Sequence, residues 1–190
     1  MALPPTSNST LGQIGIIPGA DTFLSYGICK MTGSHSRHAI IGVGGTSAVS
    51  ADPDGVHLID YEAMVRTGDY PKVLWSNFDQ TWAQAARVAQ FALNQVGKPY
   101  AFWDDALIAL ERIFHHRAPE HLRKFLEDDG QWQCAELATA SMAAGGTIVF
   151  PDDDLIGDAA PGDYEALYIR KHWHTLDEWT SVPLAPWKRK

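Results

Sequence analysis

Cysteine is almost absent from this chain: Cys29 and Cys134 are the only two among 190 residues. Two thiols cannot build a disulfide framework, and neither sits in a Cys-x-x-Cys pair, which excludes a structural zinc or dithiol site of that kind. Long apolar runs are also missing; nothing approaches the roughly 18 residues of a membrane-spanning helix. The opening Met1-Ala-Leu-Pro-Pro-Thr-Ser-Asn has neither the basic nor the apolar region of a secretory signal. The expectation is a soluble protein made in the cytoplasm without a cleaved signal. Action elsewhere would need delivery or release by lysis, a virion (as of a phage) or a secretion apparatus. Clustered positive charge is confined to Lys188-Arg189-Lys190, against a net charge of −8. A phosphate-backbone grip needs clustered Lys and Arg, so nucleic acid is not an expected partner. No internal repeat and no long low-complexity run occurs.

What is present suits one globular domain: 45% of residues are hydrophobic and 20% charged. Residues 1–11 read as a flexible lead, 12–180 as the domain and 181–190 as a basic tail. Gly12 to Ile17 reads as a first strand ended by Pro18-Gly19, and residues 21–31 as a weakly helical stretch with Cys29 in a packing role. His38 to Gly44 is apolar, β-branched and bounded by glycines, as a central strand is. Ala48–Ala51 and Val56–Ile59 flank Asp52-Pro53-Asp54-Gly55, a hairpin signature, and Lys72 to Trp75 offers one more strand. Trp82, Ala85, Ala86, Ala89, Leu93 and Val96 recur at helical spacing, with Asp79 as cap and Gly97 and Pro99 as stops. Helices are also expected over 103–114, 120–126 and 133–144, a loop over 151–154, another at Pro161-Gly162-Asp163, and a last strand over Ala166–Ile169. The fold class is therefore α+β, a small antiparallel sheet packed against helices.

Cys134 falls where a glycine-bearing loop gives way to the alanine-rich helix. A helix start favours the thiolate over the thiol through its N–H groups and dipole, whereas a cysteine inside an apolar helix is inert packing. A nucleophilic thiol needs an imidazole within reach and a polar group to orient that imidazole. Of the eight histidines, His115, His116, His121, His172 and His174 lie among charged residues and are expected to face solvent. His57 alternates to the outside of its strand. His38 opens the glycine-bounded strand, where a side chain can face a helix N-terminus packed across the sheet.

Ser36-Arg37-His38-Ala39-Ile40-Ile41-Gly42-Val43-Gly44, then Gly97-Lys98-Pro99-Tyr100, then Gln133-Cys134-Ala135-Glu136-Leu137 with Gly145-Gly146 beyond, resembles the circularly permuted NlpC-like papain-fold hydrolases. Papain-type enzymes put Cys before His; the permuted group carries the His strand first and the Cys helix late, as here. Gly12 to Ile16 and Thr32-Gly33-Ser34 resemble the group's opening strand and its lead into the His. The match spans about residues 12–165.

The resemblance implies a permuted papain-like fold and a Cys–His thiol hydrolase. Cys134 is then the nucleophile, His38 the base and later the acid, and an acyl-enzyme forms between two steps. Tyr100 and Gln133 would serve substrate or oxyanion binding, and the Cys134 N–H the oxyanion. Ser50 is the positional match for the residue that orients the His, while Asp52, two residues on and on the same strand face, is the stronger acceptor. Both stand as candidates. The implied substrate is a peptide or peptidoglycan fragment. Two alternatives share the fold: a lipid acyl hydrolase or acyltransferase of the lecithin retinol acyltransferase type, with Trp75, Trp82, Trp103 and Trp132 lining a groove, and a non-enzymatic virion or effector domain. The tryptophans otherwise read as core. His35 with His38, and His172 with His174, offer paired imidazoles without a third ligand at recognisable spacing, so no metal and no other cofactor is expected.

Overall fold

The computed structural model describes residues 10–19, 26, 29, 33–100, 132–150 and 159–182. The helices expected over 103–114 and 120–126, the loop over 151–154, most of the 21–31 stretch, residues 1–9 and residues 183–190 lie outside the described residues.

Five strands form one antiparallel sheet: β1 (Ile14–Pro18), β2 (Ser36–Gly44), β3 (Ser47–Asp52), β4 (Gly55–Asp60) and β5 (Leu74–Trp75), in the order β4-β3-β2-β1-β5. Pro53 and Asp54 close the β3–β4 hairpin, with Asp52 paired to Gly55. The two-residue period of β2 sorts its side chains. Ala39 and Ile41 join the larger core with Ile14, Ile16, Val49 and Ala51, while Ile40 joins Ile17, Ala48 and Tyr70 on the other face. Both faces of the sheet are covered, which is why β1 is buried at every residue and reads as an unbroken apolar run.

The flexible lead expected over residues 1–11 includes Thr10 and Leu11, but Thr10 is buried against β2. Gly42 makes that approach feasible: a Cβ there would lie 2.0 Å from the Thr10 carbonyl oxygen. Gly12 N–H donates to the Gly42 carbonyl and Gly42 N–H to the Gln13 carbonyl, at 2.8 and 2.9 Å.

Helix α1 (Tyr61–Thr67) follows β4 directly, capped by Asp60, whose carboxylate accepts from Ala63 N–H at 2.9 Å. Helix α2 (Trp82–Leu93) and helix α3 (Cys134–Ala144) pack together on the larger-core face. The α2 cap is Thr81, not Asp79. Thr81 and Gln84 form the reciprocal capping box, Gln84 N–H to Thr81 Oγ1 at 3.3 Å and Thr81 N–H to Gln84 Oε1 at 2.9 Å, and this outcompetes a lone carboxylate. The buried stripe of α2 is Ala85, Val88, Ala89 and Ala92, whereas Trp82 is 70% exposed and Leu93 and Val96 are also exposed. Close helix packing explains the shift from the expected face. A Cβ on Gly145 after α3 would lie 2.4 Å from Val88 Cγ2, so the interface accepts small residues and expels the tryptophan.

Residues 161–170 overturn two expectations, a loop followed by a strand. They form helix α4 (Pro161–Arg170). Pro161 occupies the first helical position, Asp163 accepts from Ala160 N–H at 2.8 Å, and Tyr164, Leu167 and Tyr168 recur at helical spacing and are buried. Helix α5 (Leu176–Thr180) adds Trp179, fully buried near Tyr168. Tyr168 donates its hydroxyl to the Ile14 carbonyl at 2.7 Å, tying α4 to the first strand. One core cluster runs from Ile14 to Trp179. Among the described residues, no helix is long and apolar enough to cross a membrane.

Candidate active site

Cys134 is the first residue of α3 and is 5% exposed. What fixes it there is the residue pair before it. Trp132 N–H donates to the Pro99 carbonyl at 3.1 Å, and Tyr100 forms an isolated parallel bridge with Trp132. The Trp132 indole N–H donates to Gln95 Oε1 at 3.2 Å, and its ring meets Phe91 edge-on and the Lys98 ammonium at 5.7 Å. Residues 97 and 98 are in turn stitched to β4: Gly97 N–H donates to the Val56 carbonyl and Val56 N–H to the Lys98 carbonyl. Gln133, buried, is the helix cap, and its N–H donates to Glu136 Oε2 at 3.5 Å. The Gly97–Tyr100 block is thus the clamp between the sheet edge and the cysteine helix. A helix start turns N–H groups and a positive partial charge toward a sulfur at this position.

His38 is the third residue of β2, and its Nε2 lies 2.8 Å from Ser50 Oγ on β3. Ser50 Oγ donates in turn to Asp52 Oδ2 at 3.4 Å. A carboxylate only accepts; with the hydroxyl proton turned to Asp52, the hydroxyl oxygen receives from the imidazole. In that arrangement His38 carries its ring proton on Nε2, and Nδ1 is the basic atom. Ser50 and Asp52 are successive members of one chain rather than rivals, Ser50 touching the ring and Asp52 directing the hydroxyl.

Tyr70, in the loop after α1, completes the surroundings. Its ring lies 6.3 Å from that of His38, and the Arg37 guanidinium sits 5.9 Å from its centre. Burial pushes the Tyr70 phenol above its ordinary range, its hydrogen bond to Ser50 opposes that, the Asp52 charge pushes it further, Arg37 pulls it back, and Cys134, when ionised, adds a smaller upward push. Helix α3 also rests on β2 and β3, the strands bearing His38 and Ser50. Arg37, buried, donates through Nη2 to the Asp69 carbonyl at 2.6 Å and anchors the loop that carries Tyr70.

The other histidines separate. His35 is bonded to Glu165, and His57 lies 3.1 Å from Asp52 Oδ2. His174, expected in solvent, is tucked beside β5 with Nε2 2.8 Å from the Trp75 carbonyl, and residues 172 and 174 lie on a turn rather than a strand. His115, His116 and His121 lie outside the described residues. Among the described residues, no group of three metal-binding side chains converges.

Sequence reasoning missed Tyr70, His57 and Glu165. Tyr70 and Glu165 are brought in by tertiary packing from loops and helices that carry no motif. For His57 a signal existed: it is the cross-strand partner of Ser50 in the hairpin the turn residues specify. No protein-family model matches the chain, and no curated protein matches it in sequence.

Proposed function

We propose that this chain is a Cys–His thiol hydrolase of the permuted NlpC-like papain-fold type, cleaving an amide bond in a peptide, with peptidoglycan peptides as the substrate class. The observation that carries the reading is the hydrogen-bonded chain joining His38 Nε2, Ser50 and Asp52, which in this reading runs from the ring to the carboxylate and leaves His38 Nδ1 as a base. Cys134 at the start of a helix packed on the same two strands supports it. Alternation along β2 puts His38 on the face of Ile40 rather than on that of Ala39, Ile41 and Cys134, so this reading requires the imidazole to reach the thiol around the end of the sheet.

In this reading His38 Nδ1 takes the Cys134 proton, and the sulfur attacks the substrate carbonyl carbon. The oxygen gains the negative charge and is held by the Cys134 N–H at the helix start, with Tyr100 and Gln133 beside it. The carbon–nitrogen bond breaks as His38 returns the proton to the leaving amine, and a thioester remains on Cys134. Water, losing a proton to the same Nδ1, attacks the thioester; the carboxylic acid leaves and the thiol is restored. Through both steps Ser50 and Asp52 stabilise the imidazolium by hydrogen bonding and charge.

Incubation with purified peptidoglycan should release new amino groups, and neither Cys134→Ala nor His38→Ala should do so. A parent chain that releases none, while freeing fatty acid from a lipid ester, would move the acyl group from peptide to lipid. A Cys134 that reacts with iodoacetamide no faster than a small thiol at neutral pH, together with full activity in Cys134→Ala, would sink the thiol chemistry itself.

A further inference from the structure

We propose that His57 is a positioning residue that sets the proton of His38 through Asp52 and Ser50. Its catalytic meaning rests on the thiol-hydrolase reading; its geometry does not. His57 stands directly across the β3–β4 pairing from Ser50, and Ser50 directly across the β2–β3 pairing from Ile40, two residues beyond His38. Side chains two apart share a face, so three neighbouring strands set out His38, then Ser50 and Asp52, then His57 in one row.

Asp52 alone is a poor anchor. It ends its strand at a turn and its side chain is 28% exposed, so water competes for its oxygens. Two donors hold it: Asp54 N–H reaches Oδ1 at 3.2 Å, and His57 Nε2 lies 3.1 Å from Oδ2, the oxygen that also receives the Ser50 hydroxyl. The imidazole is itself aligned, with Nδ1 3.2 Å from the Gly55 carbonyl. Carbonyl and carboxylate both only accept, so the ring makes its full set of bonds with protons on both nitrogens, and keeps the Asp52 bond with a proton on Nε2 alone. Held on the Ser50 side, the carboxylate keeps the hydroxyl proton turned away from His38. Without His57 the hydroxyl is released to donate back to His38 Nε2. The ring proton then moves to Nδ1, the atom that must be free to act as base.

The test is nitrogen-15 NMR of histidine-labelled full-length chain in a Cys134→Ala background, about two pH units above the ordinary histidine value so that His38 is neutral. His38 is expected almost entirely as the Nε2–H tautomer. His57→Ala should give a mixture of tautomers, and His57→Gln, which restores a donor toward Asp52, should return the signal to the parent position. With Cys134 present, His57→Ala should lower kcat about three- to fivefold, the scale of a half-exposed charged pair, at unchanged KM and unchanged melting temperature. Parent-like His38 signals in His57→Ala, in a chain where Asp52→Ala does shift them, overturn the proposal, as does failure of His57→Gln to rescue. A His57-dependent tautomer in a chain without hydrolase activity would remove the hydrolase reading and leave the positioning role standing.

Discussion

The two cysteines are both buried, yet their surroundings oppose one another. Cys29 Sγ faces two carbonyl oxygens, those of Gly19 at 3.7 Å and Ser36 at 3.5 Å. Burial, and then the nearby Glu165 carboxylate, push its thiol from 9.0 up to about 11, against a smaller opposite pull from Arg37. The two carbonyls favour the neutral thiol, and the opposing backbone hydrogen bond at Cys29 is the smallest of the influences on it. Cys134 begins a helix, so the near backbone dipoles have the other sign. Burial alone therefore says little about a thiol; the orientation of the backbone around it decides whether it packs or reacts.

The sharpest break of that comparison is substitution. Cys134→Ala should cut peptide hydrolysis by about a thousandfold or more, while Cys29→Ala should leave it within about twofold. An equal loss in both variants would erase the distinction. Ser50→Ala should come next, lowering kcat by about tenfold or more, the scale on which an outer hydrogen-bond partner acts, because His38 loses the acceptor at 2.8 Å that fixes its tautomer. Ser50→Thr, which keeps the hydroxyl, should recover most of it.

Alkaline pH offers a subtler probe of Cys29. Its folded value lies above its unfolded one, so its stabilisation is complete below about pH 9 and is lost as pH rises toward 11. Burial also raises the phenols of Tyr70, Tyr164 and Tyr168 above their ordinary 10.0, and their losses begin near pH 10. Between pH 9 and 10 the parent should lose roughly 1 kcal/mol of unfolding free energy, read by urea denaturation, while Cys29→Ala stays flatter. The smallest effect should come from Glu165→Gln. Removing that charge brings the Cys29 thiol down toward its ordinary value and speeds its alkylation at pH 9 by a few-fold. No change in alkylation would show that burial alone restrains it.

The parts of the fold legible in the sequence were those with short-range signals. Glycine-bounded, β-branched β2, the Pro53-Asp54 turn and the alanine-rich α3 each declare themselves within ten residues or so. Those elements put Cys134 at a helix start and His38 on the glycine-bounded strand, whereas Ser50 comes only from what the family resemblance implies. Helix α4 was hidden because Ala166 to Ile169 is a short apolar run, which periodicity alone cannot assign, and the pattern resolves only with Pro161 and Tyr164 included. Trp82 misled for a different reason: its spacing fits the apolar stripe, but the buried face of α2 is that of Ala85, Val88, Ala89 and Ala92, with Val88 closely approached by Gly145 after α3. Tyr70 meets His38 only through tertiary packing, which no local pattern encodes.

The bridge between Tyr100 and Trp132 means that the chain leaves and rejoins the described fold at adjacent points. Residues on the leaving side include His38; those on the rejoining side include Cys134. A single backbone cut between residues 101 and 131 would therefore divide the polypeptide into one fragment bearing the imidazole and another bearing the thiol. What would hold the fragments together is the shared core, the Trp132 to Pro99 hydrogen bond and the Tyr168 to Ile14 hydrogen bond. Under the proposed thiol-hydrolase reading, the two pieces expressed apart are each inactive, and their reassembly can be read as recovered turnover.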